Sequence, residues 1–326
     1  ALRGWNMSQL NKNLDMKKIY SNYTFVFSFL VLVVIATVIN HSFLSWTNLS
    51  TLMLQSSIKG IIALGMTLII ISGQIDLSVG SQCALVAGLG VVVLNRTESP
   101  FIMLLFCMAF GALLGTINGL ITNKGKIAPF IVTLATMSAY RSIIVQLGQG
   151  GPFNIKMKIL MSFRKIAAGK FLGVPNLAII FVIITILMVI LVKYTKFGRY
   201  VYAVGSNENA TFLTGVNVVK VKTLCFTLTG FLTGIASFLL SSRLTSITAA
   251  NVGMSFELDA IAAVAIGGTS MSGGRGKIMG TFLGAIMLQM IEGILIAARI
   301  PPFLSGLVKG IIIILAVIFQ SKKGND

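Results

Sequence analysis

The sequence has few charged side chains, and most of them have the same sign. Only 10% of its 326 residues are charged, with 8 Asp and Glu against 26 Lys and Arg. Soluble domains carry about 25% charged residues. This shortage therefore excludes an ordinary soluble enzyme and a disordered chain. With 56% hydrophobic residues, the composition predicts an integral membrane protein.

Cysteine, histidine and catalytic motifs are also scarce. The three cysteines, Cys83, Cys107 and Cys225, lie in apolar runs without C-x-x-C spacing, and we interpret them as small buried residues. With His41 as its only histidine, the sequence predicts no metal site. It contains no H-E-x-x-H, G-x-S-x-G or phosphate-binding loop. We therefore expect no catalytic residues and no ATP hydrolysis by the chain itself.

The net charge of +18 raises the question of nucleic acid. No basic face interleaved with aromatic residues is visible, as nucleic-acid binding would need. Membrane proteins concentrate Lys and Arg in short cytoplasmic loops, and that alone produces a high net charge. We therefore expect no nucleic-acid partner.

Ten apolar runs are candidates for membrane-spanning helices, each of which needs about 20 residues. They are residues 23–39, 49–71, 78–94, 101–123, 128–147, 176–192, 223–240, 258–271, 278–297 and 303–319. Most Lys and Arg residues between these runs lie on one side if both termini are cytoplasmic, which favours that orientation. The sequence thus predicts an all-α, polytopic membrane helix bundle with both termini in the cytoplasm.

The other segments follow from this topology. Residues 1–6 precede a methionine and are expected to be a cloning remnant, residues 7–22 a cytoplasmic segment and residues 321–326 a cytoplasmic tail. The membrane domain, residues 23–320, includes a long cytoplasmic loop at 193–222. The loop facing the other side carries five cations, Lys156, Lys158, Arg164, Lys165 and Lys170.

Two segments break the apolar pattern within the bundle. Residues 71–80 contain Asp76, which either caps a helix after a tight cytoplasmic turn or lies in a broken helix that lines a pathway. Residues 266–277 are rich in glycine, but Met271 and Ile278 occupy positions that a phosphate-binding loop gives to Gly and Ser or Thr. This second segment indicates close backbone packing and a sharp reversal. Interrupted segments in both halves indicate an internal repeat, as in many transporters.

The loop at residues 193–222 is predicted to contain a short helix. Ser206 or Asn207 would cap it, Glu208 would lie in its first turn, and Gly215 would end it. Its apolar side chains would either bind a partner protein or pack back onto the membrane domain. Charges inside the apolar runs are expected to pair, snorkel or face the bundle interior. These charges are Lys59, Arg141, Glu292 and Lys309.

Four segments, residues 65–81, 118–137, 198–210 and 265–276, resemble the ribose-type family of ABC importer permeases. That family serves ribose, xylose, arabinose and galactosides, and its wider relatives carry branched-chain amino acids. The resemblance runs from about residue 25 to 320 and implies a subunit of a bacterial sugar importer in the inner membrane, surrounded by lipid. It also implies a second permease copy, a periplasmic or lipid-anchored binding protein, and a cytoplasmic ATPase that binds ATP and Mg. The chain itself would bind no cofactor.

The resemblance also assigns roles to residues of this sequence. The ATPase-coupling helix corresponds to Gly205, Ser206, Asn207, Glu208, Asn209, Ala210, Phe212, Leu213 and Gly215. The translocation path is expected near the broken segments, at Gln74, Asp76, Ser78, Phe130, Thr133, Thr136 and Thr269, although the threonines could instead serve helix packing. The five loop cations are expected to dock the binding protein. Two departures are Gln74, where the family has Gly, and Asn209-Ala210-Thr211, where it has Glu-Ala-Ala.

Other cargoes and one other class of carrier remain open. A nucleoside, an amino acid or a signalling furanose would fit the same family, in which the binding protein makes most of the choice. An ion-coupled secondary transporter would use Asp76 or Glu292 as its ion site.

Overall fold

The structure is a computed structural model that describes residues 16–299 and residues 301, 304, 306–308, 310, 311 and 314. The described part is mostly helical, which confirms the predicted helical class. The helices are α1 (Met16–Ile39), α2 (Trp46–Ile71), α3 (Val79–Thr97), α4 (Pro100–Asn123), α5 (Pro129–Leu147), α6 (Met157–Ala168), α7 (Asn176–Tyr194), α8 (Lys196–Ser206), α9 (Glu208–Leu213), α10 (Val218–Arg243), α11 (Phe256–Ile266) and α12 (Ile278–Ala297). The strands are β1 (Pro152–Asn154), β2 (Lys170–Phe171), β3 (Val174–Pro175) and β4 (Ser246–Thr248).

Seven of the described helices are long and apolar enough to cross a membrane. They are α2, α3, α4, α5, α7, α10 and α12. Helix α1 matches a further predicted run. The tenth run, residues 303–319 with Lys309, lies outside the described residues apart from isolated positions, as do residues 1–6 and 321–326. The finer count of ten and the side on which the termini lie stay predictions.

Helix α11 differs from the predicted run at residues 258–271. It has only 11 residues, about 17 Å, whereas a bilayer core is about 30 Å thick. Gly267 and Gly268 follow its last turn, and the positive φ of 82° at Gly268 belongs to a backbone region that glycine enters readily. The chain reverses there, so α11 is a buried half-length helix.

Helices α4 and α10 pack antiparallel and form the most extensive helix pair. Gly111 and Gly115, four residues apart on one face of α4, lie directly against the backbone of α10 at Gly230 and Phe226. Small residues allow such close approach between membrane helices. The three cysteines are buried in the same bundle and are not in disulfides, as predicted.

The bundle has two distinct ends, joined by α7 and by α10, which is 26 residues or about 39 Å long. At the α6 end, defined as residues 148–175 with β4, strand β1 pairs antiparallel with β4. The Ser242 hydroxyl also donates to the Phe163 carbonyl there, at 3.0 Å. At the α9 end, defined as residues 195–217, α8 and α9 connect α7 to α10. Helices α6 and α8 lie where the sequence predicts loops, apart from the short helix predicted after Ser206 or Asn207.

Candidate functional site

The three segments that stood out in the sequence meet at the α9 end. The Gly274 N–H donates to the carbonyl oxygen of Ile71 at 2.9 Å, and the Tyr202 hydroxyl donates to the Gly276 carbonyl at 2.7 Å. Gly205 of α8 lies so close that a Cβ at this position would overlap the Ile71 carbonyl oxygen. We call the contact among Ile71, Gly205 and Gly274 the glycine junction. It joins α2, α8 and the glycine-rich segment through their backbones.

Helix α9 begins at Glu208, in the first turn of the predicted short helix. The Asn207 side chain accepts a hydrogen bond from the Ala210 N–H at 2.9 Å, so Asn207 rather than Ser206 is the cap. Ser206 is instead the last residue of α8. Gly215, with a φ of 84°, follows the helix in the left-handed conformation that commonly ends helices.

One face of α9 is fixed to the bundle and the other is open. Thr211 is buried, and Glu208 forms an ion pair with Lys222 of α10. In contrast, Phe212 is 67% and Leu213 is 83% exposed. Asn209 and Ala210 are exposed as well. The helix is therefore packed on its own domain, yet still presents an apolar tip.

The segment before α3 contacts α4 through two side chains. Gln74 Nε2 donates to Asn123 Oδ1 at 2.7 Å, and Asn118 Nδ2 donates to Ser78 Oγ at 2.8 Å. Asp76 lies between these two residues in the sequence. Its Oδ1 accepts from the Ser78 N–H and hydroxyl, at 2.8 and 2.6 Å.

Asp76 is not the cap of α3, because its Oδ1 accepts from Ser78, the residue before the helix, and from no amide of the first turn. It is only 1% exposed and so does not lie in an open turn. Asp76 Oδ2, Gln74 Oε1 and Thr122 Oγ1 are buried without a hydrogen-bond partner in the described part of the chain. An unsatisfied buried polar atom costs about 1–3 kcal/mol, so these oxygens are ready acceptors for a donor from outside the chain.

The remaining predicted path residues lie on other elements. The Thr133 and Thr136 hydroxyls donate within α5, to the Pro129 and Val132 carbonyls at 2.8 and 3.1 Å, a usual arrangement for threonine in helices. Phe130 on the same helix is 58% exposed. Thr269 is buried in the glycine-rich segment, and its hydroxyl has no partner among the described residues. Their role in lining a path stays a prediction.

Sequence reasoning missed the partners of the Asp76 segment. Asn118 and Asn123 sit at the end of α4, and the Tyr140 hydroxyl of α5 donates to Asn118 Oδ1 at 3.0 Å. The available signal was two asparagines in an otherwise apolar run, since polar groups inside membrane helices usually have a partner or a function.

Three charged side chains form a cluster within the bundle. Lys59 Nζ of α2 lies 2.7 Å from Asp259 Oδ2 of α11 and 3.2 Å from Glu292 Oε1 of α12. We call these three residues the ion cluster. Lys59 and Glu292 thus pair as expected for charges inside apolar runs. Arg141 instead donates to backbone carbonyls of residues 249 and 252.

The five cations predicted to dock a binding protein are all exposed at the α6 end. Helix α6 buries its apolar face and turns its charged face outward. Lys158 Nζ lies 2.7 Å from Glu98 Oε2. The hydrogen bond from Lys158, together with its charge, holds the pKa of Glu98 below its usual range.

Comparison with known proteins decides the family. The family described as branched-chain amino acid transport system / permease component matches residues 48–317. The chain belongs to this permease family. The family match and the seven apolar helices make the chain a multi-pass membrane component of a transport system.

Curated relatives confirm the resemblance to ribose-type permeases. The ribose import permease protein RbsC of Bacillus subtilis is 41% identical over 293 residues, 90% of each chain. That of Escherichia coli K12 is 36% identical over 295 residues, 90% of this chain and 92% of the relative. The L-arabinose transport system permease protein AraH of Escherichia coli K12 is 34% identical over 306 residues, 94% of this chain and 92% of the relative. No solved structure matches the chain.

Proposed function

We propose that the chain is the membrane-spanning permease subunit of a bacterial ATP-driven importer in the inner membrane, with a ribose-like monosaccharide as cargo. Relatives that it matches nearly end to end carry the names ribose import permease and L-arabinose permease. The observation that carries the proposal is the α9 end, where Phe212 and Leu213 are exposed on a helix that buried Thr211 and the ion pair of Glu208 with Lys222 attach to the bundle. Exposed apolar side chains on a helix that is packed against its own domain are suited to binding another protein subunit.

In this proposal the ATPase subunit binds ATP and Mg, closes beneath α9 and thereby moves α8. Because α8 contacts both α2 and the glycine-rich segment at the glycine junction, that movement reaches both broken segments of the bundle. ATP hydrolysis and reopening then reset the bundle. In this scheme the chain supplies the surface at α9 that the ATPase contacts and the path through which the cargo crosses the membrane.

The proposed path residues are the seven named from the sequence: Gln74, Asp76, Ser78, Phe130, Thr133, Thr136 and Thr269. Sugar hydroxyls both donate and accept hydrogen bonds, and so do the hydroxyl and amide side chains among these residues, so the two suit each other. The unpartnered oxygens of Gln74, Asp76 and Thr269 support this assignment. The second permease copy is proposed to pack against helix α5, which exposes Phe130, Ile131 and other apolar side chains.

The α6 end is proposed to receive the binding protein. Lys156, Arg164, Lys165 and Lys170 are exposed there and would meet acidic side chains on the two lobes of the binding protein. Complementary charge of this kind accelerates and orients association.

Reconstitution tests the proposal. The permease, its cognate ATPase and binding protein are placed in proteoliposomes with labelled ribose outside and ATP inside. We expect uptake that requires ATP and the binding protein. Uptake of a nucleoside, an amino acid or a signalling furanose instead of ribose would support the permease role and show that the proposed cargo is wrong. Uptake driven by an ion gradient without ATP, and lost in Glu292→Gln, would overturn the proposal in favour of a secondary transporter.

A further inference from the structure

The chain between α10 and α11 turns into the bundle. Ala249, which follows β4, is only 1% exposed. Arg141 Nη1 of α5 donates to the Ala249 carbonyl at 2.6 Å and to the Val252 carbonyl at 2.7 Å. Residues 249–255 are therefore held against α5 by a charged donor.

The tip of this inward segment meets the beginning of α3. Gly253 and Gly80 pack so closely that a Cβ on either residue would overlap the carbonyl oxygen of the other. A carboxylate oxygen of Glu257, in the first turn of α11, lies at the same place. Thus α3 and α11 both begin at one buried point. Asp76 and Glu257 lie near their positive N-terminal ends, where carboxylates are favoured.

From that point the two helices run toward opposite ends of the bundle. Near the other terminus of α3, Asn95 Nδ2 donates to the Asn154 carbonyl of β1 at 2.8 Å. Helix α11 is buried from Asp259 to Ala265 and is fixed to α2 through the ion cluster. The glycine-rich segment then leads into the glycine junction.

Residues 246–276 consequently form one covalent route from the α6 end to the α9 end, and we call them the connecting segment. Its first strand pairs with β1, so Ser246 faces Asn154 and Thr248 faces Pro152. Its far end bonds to Ile71 and Tyr202. Between the two ends the segment is held by strand pairing with β1, by the hydrogen bonds from Arg141, by the close contact of Gly253 with Gly80, and by the ion pair of Asp259 with Lys59.

We propose that the connecting segment is the mechanical link between the surface that receives the binding protein and the surface that receives the ATPase, and that Arg141 is the residue that positions its outer half. The proposal rests on the proposed function. Loss of the guanidinium frees residues 249–255 from α5 and leaves the carbonyls of Ala249 and Val252 without this donor, while Lys59 still holds α11. Docking at the α6 end would then no longer move the glycine junction.

The test uses the full complex of permease, ATPase and binding protein in lipid nanodiscs. ATP hydrolysis is measured with and without the loaded binding protein, and the ratio of the two rates is the readout. In Arg141→Met we expect this ratio to fall about tenfold or to unity, since hydrogen bonds from charged donors are among the stronger ones. Copurification with the ATPase and the unstimulated rate should stay as in the wild type. Arg141→Lys, which keeps a charged donor without the guanidinium shape, should give an intermediate ratio.

Arg243→Met is the matched control, because Arg243 is an exposed cation at the end of α10, and its ratio should not change. An unchanged ratio in assembled Arg141→Met, with or without a lower melting temperature, overturns the link and leaves the proposed function standing. If the wild-type chain does not bind the ATPase, the proposed function itself fails. If Arg141→Met does not fold, Tyr202→Phe tests the far end of the same link. A retained ratio in that variant overturns the proposal, and a reduced ratio supports it.

Discussion

The α6 end and the α9 end expose different kinds of side chain. At the α6 end, exposed Lys and Arg side chains stand on an amphipathic helix, and contacts between exposed charges are weakened by salt. At the α9 end, Phe212 and Leu213 project from a helix that Thr211 and the ion pair of Glu208 with Lys222 attach to the bundle. Buried apolar anchors dominate the affinity of protein interfaces, whereas peripheral charges mainly set association rates. Under the proposed function, we therefore expect a lasting contact at the α9 end and a transient one at the α6 end.

The largest expected effect is at the α9 tip. Phe212→Asp combined with Leu213→Asp should weaken ATPase binding about 100-fold or more, because it places two charges where apolar anchors are needed. Copurification from membranes and surface plasmon resonance on purified permease measure this loss.

The matched control is Leu172→Asp, which alters a side chain that is 88% exposed at the α6 end. It should leave ATPase binding intact. ATPase binding that survives both changes at the α9 tip would contradict the idea that this end makes the lasting contact.

A second prediction concerns the support beneath α9. Gly205→Ala should force α8 away from Ile71 and lower the free energy of unfolding by about 1–3 kcal/mol, as is usual for overpacking. The measurement is the thermal midpoint in detergent. Gly293→Ala is the control, since a Cβ there meets nothing within 4 Å, and its midpoint should stay level or rise. If Gly205→Ala and Gly293→Ala have equal thermal midpoints, close packing at Gly205 does not stabilise the α9 end and this prediction is wrong.

The smallest expected effect is at the α6 end. Lys165→Glu with Lys170→Glu should slow association of the loaded binding protein about tenfold at low salt and much less at high salt, where charges are screened. Stopped-flow kinetics at several ionic strengths measure this effect. Lys124→Glu with Lys126→Glu changes two exposed cations after α4, at the opposite end, and should have no effect. A rate that Lys165→Glu with Lys170→Glu leaves unchanged at low salt, or a slowing that is the same at every ionic strength, would show that charge does not govern this end.

Much of the fold follows from local sequence. Long apolar runs predict the spanning helices, and the Asn207-Glu208 start with Gly215 predicts α9 because caps act over a few residues. The amphipathic pattern of α6, with Ile159 and Phe163 buried among lysines, carried a signal that the loop interpretation overlooked.

The arrangement of the site could not be predicted from local sequence. The glycine junction joins residues 71, 205 and 274, and no local pattern says which glycines will touch. The partners of Arg141 are backbone carbonyls, which have no signature in the sequence. The length of α11 likewise depends on the chain reversal after Ile266, whereas the predicted run continued to Met271.

The ion cluster has a consequence for biosynthesis. Lys59 precedes Glu292 by 233 positions, and translation at about 5–20 residues per second separates them by roughly 10–50 s. A lysine at the centre of a lone inserted helix is unfavourable by about 2.5–3.5 kcal/mol. Without its acidic partners, Lys59 makes α2 less stable in the bilayer during that interval. We therefore expect nascent chains that stop before Asp259 to be less stable in the membrane than chains that include α11 and α12.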